Sequence, residues 1–153
     1  MIMEKRVLSN GVEIPAIGLG VYLSPEGQAT ADSVRWAVEA GYRHIDAAAV
    51  YGNECSVGEG IKTCGIPRDQ LFLTSKLWND DIRKGRALDA FKESLERLGT
   101  DYLDLYLIHW PADGHVKAWH VLEELYQTGA VRAIGVSNYH SQHIAELESE
   151  AKI

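Results

Sequence analysis

The stretch Leu103-Asp-Leu-Tyr-Leu-Ile-His109 is largely apolar and ends in a histidine, a pattern typical of a buried strand with a polar residue at its carboxyl end. Similar segments end at four other positions, which are Gly20, Asp46, Lys76 and Ser137. The five ends follow one another at intervals of 26, 30, 33 and 28 residues. Units of this length, each a strand followed by a helix, predict parallel strands joined by right-handed crossovers.

The intervals between the strands carry apolar residues at helical spacing, which predicts one helix behind each strand. The first helix is expected to end at Gly41 and the third at Gly99, because glycine commonly terminates helices. The helical positions are Ala31, Val34, Ala37 and Val38 in the first helix, about Glu54 to Lys62 in the second, Leu88, Phe91, Leu95 and Leu98 in the third, Trp119, Leu122 and Tyr126 in the fourth, and Ser141 onward in the last.

Two architectures fit this alternation of strands and helices. A chain of 153 residues suits a doubly wound five-stranded sheet of the flavodoxin type, whereas a (β/α)8 barrel needs about 250 residues. The polar residues at several strand ends favour the barrel, because barrel enzymes build their active sites there. We therefore predict an α/β fold of the (β/α)8 type in which residues 1–153 form a single, partial domain with five of the eight units. Asn10-Gly11 predicts a hairpin over Val7 to Ile14 that caps it.

Composition and charge exclude several classes of protein. The formal net charge of −7 argues against nucleic-acid or anionic-membrane partners. No run of 18 apolar residues predicts a membrane span, and the amino terminus lacks the features of a secretory leader. The two cysteines, Cys55 and Cys64, are too far apart along one predicted helix for a disulfide and indicate free thiols in a reducing compartment. We therefore predict a cytoplasmic protein.

Four polar residues lie at the positions where barrel enzymes have their active sites. They are Asp46, Lys76 and His109 at strand ends, and Tyr51 in the loop after the second strand. A free tyrosine is a poor proton donor at neutral pH, but a neighbouring ammonium favours the phenolate, and a carboxylate holds the ammonium charged. Lys76 and Asp46 are placed to do this for Tyr51, while His109 orients a carbonyl oxygen. Such a group suits hydride addition to a carbonyl, where the oxygen gains negative charge.

Other interpretations of these residues remain open at this point. A strand-end lysine is often only an ion-pair partner, and a single histidine is often only a hydrogen-bonded core residue. Asp46 and His109 are also possible metal ligands, which makes a metal-dependent hydrolase a third hypothesis, although no other histidine ends a strand. Gly18-Leu-Gly20 resembles the start of a dinucleotide loop, but its third glycine falls on Leu23, so a Rossmann motif is not predicted.

Four longer segments resemble the successive signatures of the aldo-keto reductase family, in the family's order and at close to its spacing. These segments are Gly41-Tyr-Arg-His-Ile-Asp-Ala-Ala-Ala-Val-Tyr-Gly-Asn-Glu54, Thr74-Ser-Lys-Leu-Trp-Asn79, Asp101-Tyr-Leu-Asp-Leu-Tyr-Leu-Ile-His-Trp-Pro111 and Val131-Arg-Ala-Ile-Gly-Val-Ser-Asn138. The resemblance implies a (β/α)8 TIM barrel closed at its bottom by the hairpin. It also implies reduction of aldehydes and ketones with NADPH, or less often NADH, without a metal.

The resemblance assigns roles to individual residues. Asp46, Tyr51, Lys76 and His109 match the family's catalytic four, with Tyr51 as the general acid. The cofactor contacts that it implies are Gly20, Val21, Tyr22, Asp46, Ser137 and Asn138, of which the last two hydrogen-bond the nicotinamide carboxamide. The substrate contacts that it implies are Tyr22, Trp78 and Trp110.

The chain departs from the family pattern in two places. The segment Ala112-Asp-Gly-His115 is shorter than usual, which predicts a more open wall of the substrate pocket. The family's sixth strand would begin where this sequence ends, so we expect a truncated barrel with open sheet edges. Three outcomes stay open: self-association or a complementing chain covers the edges, the sheet relaxes into an open doubly wound form, or the sequence is part of a longer protein. Two functions follow: a reductase of small carbonyl substrates, or an inactive fragment or interaction module that needs a partner chain.

Overall fold

The computed structural model describes residues 4–153. The strands are β1 (Lys5–Val7), β2 (Glu13–Pro15), β3 (Leu19–Gly20), β4 (His44–Asp46), β5 (Phe72–Leu77), β6 (Leu103–Ile108) and β7 (Val131–Val136). The α-helices are α1 (Gln28–Glu39), α2 (Glu54–Thr63), α3 (Asn79–Arg83), α4 (Ala87–Leu98), α5 (His115–Gln127) and α6 (Ser141–Glu148), and short 3₁₀ helices cover Ala49–Tyr51 and Arg68–Gln70. Within residues 4–153, none of the helices combines the length and apolar character needed to span a membrane.

The main sheet contains five parallel strands in the order β3-β4-β5-β6-β7. This order follows the chain without a reversal, as in the wall of a barrel, whereas a doubly wound sheet reverses its order at a switch point. The flavodoxin-type alternative is therefore wrong. Each of the edge strands, β3 and β7, pairs on one side only among the described residues, so the sheet is an open arc.

The predicted hairpin forms from β1 and β2, which pair antiparallel. Its turn closes with a hydrogen bond from Gly11 N to Leu8 O, and Gly11 has a φ of +85°, a conformation that glycine adopts without strain. Asn10 Nδ2 donates to Arg132 O at the beginning of β7, at 2.9 Å. The hairpin therefore lies against the amino ends of the strands, opposite to the edge that carries the predicted site.

Side chains alternate between the two faces of the sheet, as they must in strands. The helix-facing side is the core: Ile45 and Leu73 are fully buried, and the ring of Tyr106 packs against Phe91 of α4 with ring centroids 5.1 Å apart. The opposite face corresponds to the interior of a barrel. Near the open edge this face is incompletely covered, because Leu105 and Leu107 of β6 are only half-buried beside a cavity of about 380 Å³.

Two glycines allow α2 to approach its neighbours closely. A Cβ at Gly60 would stand 2.6 Å from Val34 of α1, and a Cβ at Gly58 would stand 2.7 Å from the carbonyl oxygen of Leu98 in α4. Both distances are too short for a side chain, so any larger residue would push the helices apart. Because α2 begins three residues after Tyr51, this packing also fixes the loop that carries the predicted acid.

Several predicted details are wrong. The first strand is only Leu19–Gly20, not Ala16–Gly20, because its partner β4 has just three residues to offer for pairing. Leu88 is 43% exposed, whereas Phe91 and Leu98 are buried as predicted, because α4 buries Ala87 and Ala90 in the turn where Leu88 was expected to pack. The short helix α3 was not predicted, because five residues are too few for a helical apolar period to be visible.

Candidate active site

The fold brings the four predicted catalytic residues together at the carboxyl edge of the sheet. Asp46 ends β4, Lys76 is the penultimate residue of β5, and His109 directly follows β6. Tyr51 lies at the end of the 3₁₀ helix Ala49–Tyr51, which brings its side chain back over β5. Residues that are 63 positions apart in the chain thus share one site, since parallel strands gather their carboxyl ends at one edge.

The Lys76 ammonium has all three of its N–H donors engaged. It donates to Asp46 Oδ1 at 2.5 Å, to the carbonyl oxygen of Ala47 at 2.9 Å and to the Tyr51 hydroxyl at 3.3 Å. Lys76 is buried, and a buried ammonium is stable only when such partners replace water. The Tyr51 oxygen therefore accepts a hydrogen bond from a cation, and its own proton remains free for another acceptor.

Aromatic rings surround Tyr51. Its ring centroid lies 5.2 Å from that of Tyr22 and 5.7 Å from that of His109, and His109 in turn lies 5.4 Å from Trp78. The predicted substrate residues Tyr22 and Trp78 therefore border the catalytic group. Trp110, the third predicted substrate residue, directly follows His109, is 46% exposed and forms none of these ring pairs.

His109 is buried, with 8% of its surface exposed, and its Nδ1 has no hydrogen-bond partner among the described residues. Burial lowers the pKa of His109 below its ordinary value, the charge of Lys76 lowers it further, and Asp46 acts in the opposite direction. A neutral imidazole carries one N–H. We assign it to Nε2, because an unpaired buried N–H is rarer in proteins than an unpaired buried acceptor.

This lowered pKa predicts a pH dependence of stability. Below about pH 6.5 the unfolded chain binds a proton on His109 that the folded protein resists, so the free energy of unfolding should decrease as the pH falls. Above that pH both states hold a neutral ring and the contribution vanishes. Urea unfolding at pH 7.5 and 5.5 should show a smaller loss for His109→Gln than for the wild type. His44, whose pKa burial also lowers, is present in both proteins. An equal loss would contradict the assignment.

The predicted cofactor loop is held by a residue that sequence reasoning did not single out. Asn53 is fully buried, and its Nδ2 donates to Val21 O at 2.9 Å and to Ser24 O at 3.0 Å. Gly20 and Tyr22 are exposed, but Val21 is only 1% exposed and its backbone N–H and carbonyl oxygen are already hydrogen-bonded, so only Gly20 and Tyr22 of the three are accessible to a ligand. The available signal was the position of Asn53, an amide two residues after Tyr51 at the start of a helix.

Ser137 and Asn138, the predicted carboxamide pair, follow β7 directly. Asn138 has a φ of +61°, and its Nδ2 donates to the carbonyl oxygen of His109 at 2.9 Å and to Ser137 Oγ at 3.0 Å. Both amide protons are thus used, which leaves Asn138 Oδ1 as an acceptor and the Ser137 hydroxyl as a donor. A carboxamide presents one donor group and one acceptor, so this pair complements it.

Glu54 is a second buried residue beside the site, and it is structural. Its carboxylate accepts hydrogen bonds from Ser75 Oγ at 2.6 Å, from Ser94 Oγ at 3.2 Å and from Arg97 Nε at 2.7 Å. These contacts tie α2 to β5 and α4. No three histidine, cysteine, aspartate or glutamate side chains within residues 4–153 are grouped as metal ligands would be.

Comparison with known proteins identifies the family. The sequence model of the aldo/keto reductase family matches residues 16–153, and the chain belongs to this family. It is 52% identical to the glyoxal reductase of Bacillus subtilis (strain 168) over 147 residues, which are 95% of this chain and 53% of that protein. The chain spans about half the length of the curated relatives it matches.

Solved structures agree with this identification. An aldo/keto reductase from Brucella melitensis superimposes with a TM-score of 0.94 at 42% identity, covering 99% of this chain and 60% of that one. An aldo-keto reductase from Bombyx mori in complex with NADP gives a TM-score of 0.90 at 38% identity, covering 100% of this chain and 56% of that one. The predicted fold class is confirmed, with a hairpin and five βα units present. The roles of individual residues stay predictions.

Proposed function

We propose that this chain carries the catalytic half of a reductase that converts aldehydes or ketones to alcohols with NADPH, and that Tyr51 donates the proton. The observation that carries the proposal is the hydrogen bond from the Lys76 ammonium to the Tyr51 hydroxyl, at 3.3 Å. A hydroxyl that accepts from a cation becomes a better acid, because the same cation stabilises the phenolate that proton loss creates.

The residues around Tyr51 and Lys76 support the proton transfer. Tyr51 directs its free O–H to the carbonyl oxygen of the substrate, and His109 donates from Nε2 to the same oxygen, which orients it. Asp46 holds the Lys76 ammonium in place through the 2.5 Å contact. Tyr22 and Trp78 would line the site beside the reacting carbonyl with aromatic surface.

The donor set at the end of β7 fits a nicotinamide cofactor. Ser137 and Asn138 would hold the carboxamide, since their free hydroxyl donor and amide oxygen complement it. When bound, the cofactor supplies the hydride that the carbonyl carbon receives. The NADP complex of the Bombyx mori relative supports NADPH, and NADH is the alternative that a titration would distinguish. The free thiols of Cys55 and Cys64 support a reducing, cytoplasmic compartment.

The second candidate function, an inactive segment that requires a complementing chain, is favoured by one observation. Leu105 and Leu107 lie on the interior face beside the open edge of β7 and are only half-buried. Parallel sheets are normally covered on both faces, so we propose that further strands cover this face in the folded protein, whether they belong to a longer form of this chain, to a second copy or to another chain.

The proposal is tested with the purified protein, first by light scattering and then with cofactor. We expect NADPH to bind with a change in its fluorescence, and its absorbance to fall on addition of small aldehydes such as glyoxal. Oxidation by an assembly larger than the 17.0 kDa monomer would support both the reductase and the covered edge. An assembly that neither binds nor oxidises NADPH would leave the inactive segment as the function of this chain.

A further inference from the structure

A buried histidine outside the catalytic group connects two loops at the carboxyl edge. His115 is the first residue of α5, and its side chain is almost fully buried. Its Nδ1 lies 3.0 Å from the Tyr139 hydroxyl, and its Nε2 lies 3.3 Å from Glu146 Oε2 on α6. The rings of His115 and Tyr139 meet edge to face, with centroids 5.4 Å apart. None of these residues takes part in the proposed chemistry.

The two contacts define which atom donates. An ionised carboxylate only accepts, so the Nε2 proton of His115 points to Glu146 and Nδ1 is left as an acceptor. Tyr139 must then donate its hydroxyl proton to Nδ1. Burial raises the pKa of Tyr139, and the nearby charge of Glu146 raises it further, so this hydroxyl keeps its proton at neutral pH.

These contacts join the loop after β6 to the loop after β7, which carries Ser137 and Asn138. Asn138 precedes Tyr139 and donates to the carbonyl oxygen of His109, and the chain from His109 runs through Trp110 to Gly114 and back to His115. Two side-chain hydrogen bonds therefore link the two loops, one from Asn138 to the carbonyl oxygen of His109 and one from Tyr139 to His115. Asn138 also occupies the left-handed region at φ +61°, which asparagine adopts more readily than most residues with a side chain but still less readily than glycine. A fixed neighbour on its carboxyl side helps to hold that conformation.

We propose that His115 and Tyr139 are positioning residues for the nicotinamide carboxamide site: their hydrogen bond holds Asn138 and Ser137 in the orientation that accepts the cofactor. The inference rests on the proposed function, because it assigns the carboxamide to Ser137 and Asn138. It concerns the segment Ala112-Asp-Gly-His115, whose shortness places a histidine at the start of α5.

The test is Tyr139→Phe, with Tyr106→Phe as the matched control. Both remove one hydroxyl from a well-packed ring, but the Tyr106 hydroxyl is buried without a hydrogen-bond partner among residues 4–153. We expect Tyr139→Phe to weaken NADPH binding, measured by fluorescence, by about three- to tenfold, the equivalent of one hydrogen bond. KM for NADPH should rise by a similar factor while kcat changes less than about twofold. Tyr106→Phe should leave both constants unchanged.

A second pair of variants tests the hydrogen bond itself. His115→Asn keeps an acceptor near the position of Nδ1, whereas His115→Leu removes it at similar volume. We expect the asparagine variant to restore most of the NADPH affinity that the leucine variant loses. A role in stability alone would lower the melting temperature of both variants and leave the affinity of the folded protein unchanged.

Amide hydrogen exchange gives a readout that needs no cofactor. Peptides that cover residues 136–144 should exchange faster in Tyr139→Phe than in the wild type or in Tyr106→Phe, since the loop opens more often. If the wild type fails to bind NADPH, the proposed function fails, and exchange alone decides whether the pair holds the loop. Wild-type affinity together with wild-type exchange in Tyr139→Phe would overturn the inference.

Discussion

Replacing Tyr51 with phenylalanine is expected to lower kcat for carbonyl reduction by about 10²- to 10⁴-fold, the range that a general acid contributes. The ring contacts with Tyr22 and His109 are retained in this variant, since only the hydroxyl is removed. NADPH affinity should therefore change less than about twofold, because no part of the proposed carboxamide site is touched. Stopped-flow oxidation of bound NADPH measures the step directly.

A suitable control is Tyr42→Phe, which removes a hydroxyl that makes no hydrogen bond to any described residue. Its rate should match that of the wild type. If Tyr51→Phe reduced aldehydes as fast as this control, another group would be the acid, and the contact from Lys76 to Tyr51 would be structural only. Loss of NADPH binding in Tyr51→Phe would also contradict the assignment, because it would indicate a role in cofactor binding.

Asp104→Asn is expected to destabilise the fold by about 2 to 4 kcal/mol, the largest stability effect that we predict. Asp104 is fully buried and accepts from Arg132 Nη1 at 2.7 Å, from Arg68 Nη1 at 2.8 Å and from the backbone N–H of Leu73 at 2.9 Å. An asparagine has one acceptor oxygen for these three donors, and its own NH₂ group would face a guanidinium. Urea unfolding followed by circular dichroism measures the loss.

Asp101→Asn is the matched control, because it makes the same chemical change three residues earlier at an exposed position. It should shift the free energy of unfolding by less than about 0.5 kcal/mol. Adding Arg132→Met to Asp104→Asn should recover part of the loss, since one unpaired guanidinium disappears. Equal stability of the two asparagine variants would show that water or a neighbouring group replaces the buried carboxylate without cost.

The parallel units could be predicted from the sequence because the strand ends recur every 26 to 33 residues and the intervals between them carry apolar residues at helical spacing. Asp46, Lys76 and His109 could be placed at one edge for the same reason, since strand ends in a parallel sheet converge. The exposure of Leu88 on α4 could not be predicted, because an apolar residue at helical spacing is expected on the buried face, whereas the packing of α4 buries Ala87 and Ala90 instead. Propensity is a weak guide where tertiary contacts choose between neighbouring residues.

The supporting residues of the site were less visible in the sequence than its reactive ones. Asn53 bonds to carbonyl groups about 30 positions away, and His115 and Tyr139 are 24 positions apart. Such pairs have no period and no charge pattern, so only the folded chain shows them. The resemblance to the family predicts Ser137 and Asn138 as cofactor contacts, and the donor and acceptor that they leave free follow from hydrogen bonds in the structure.

The hairpin at the amino ends of the strands has a consequence for how this protein can be changed. Asn10, Arg132 and Asp104 hold one end of the sheet, while Tyr51 and Lys76 lie at the other. Substitutions that strengthen the hairpin end therefore need not alter the proposed catalytic residues. Variants with higher thermal stability can be selected at the hairpin end, separately from variants at the carboxyl ends of the strands, and the two sets can then be combined.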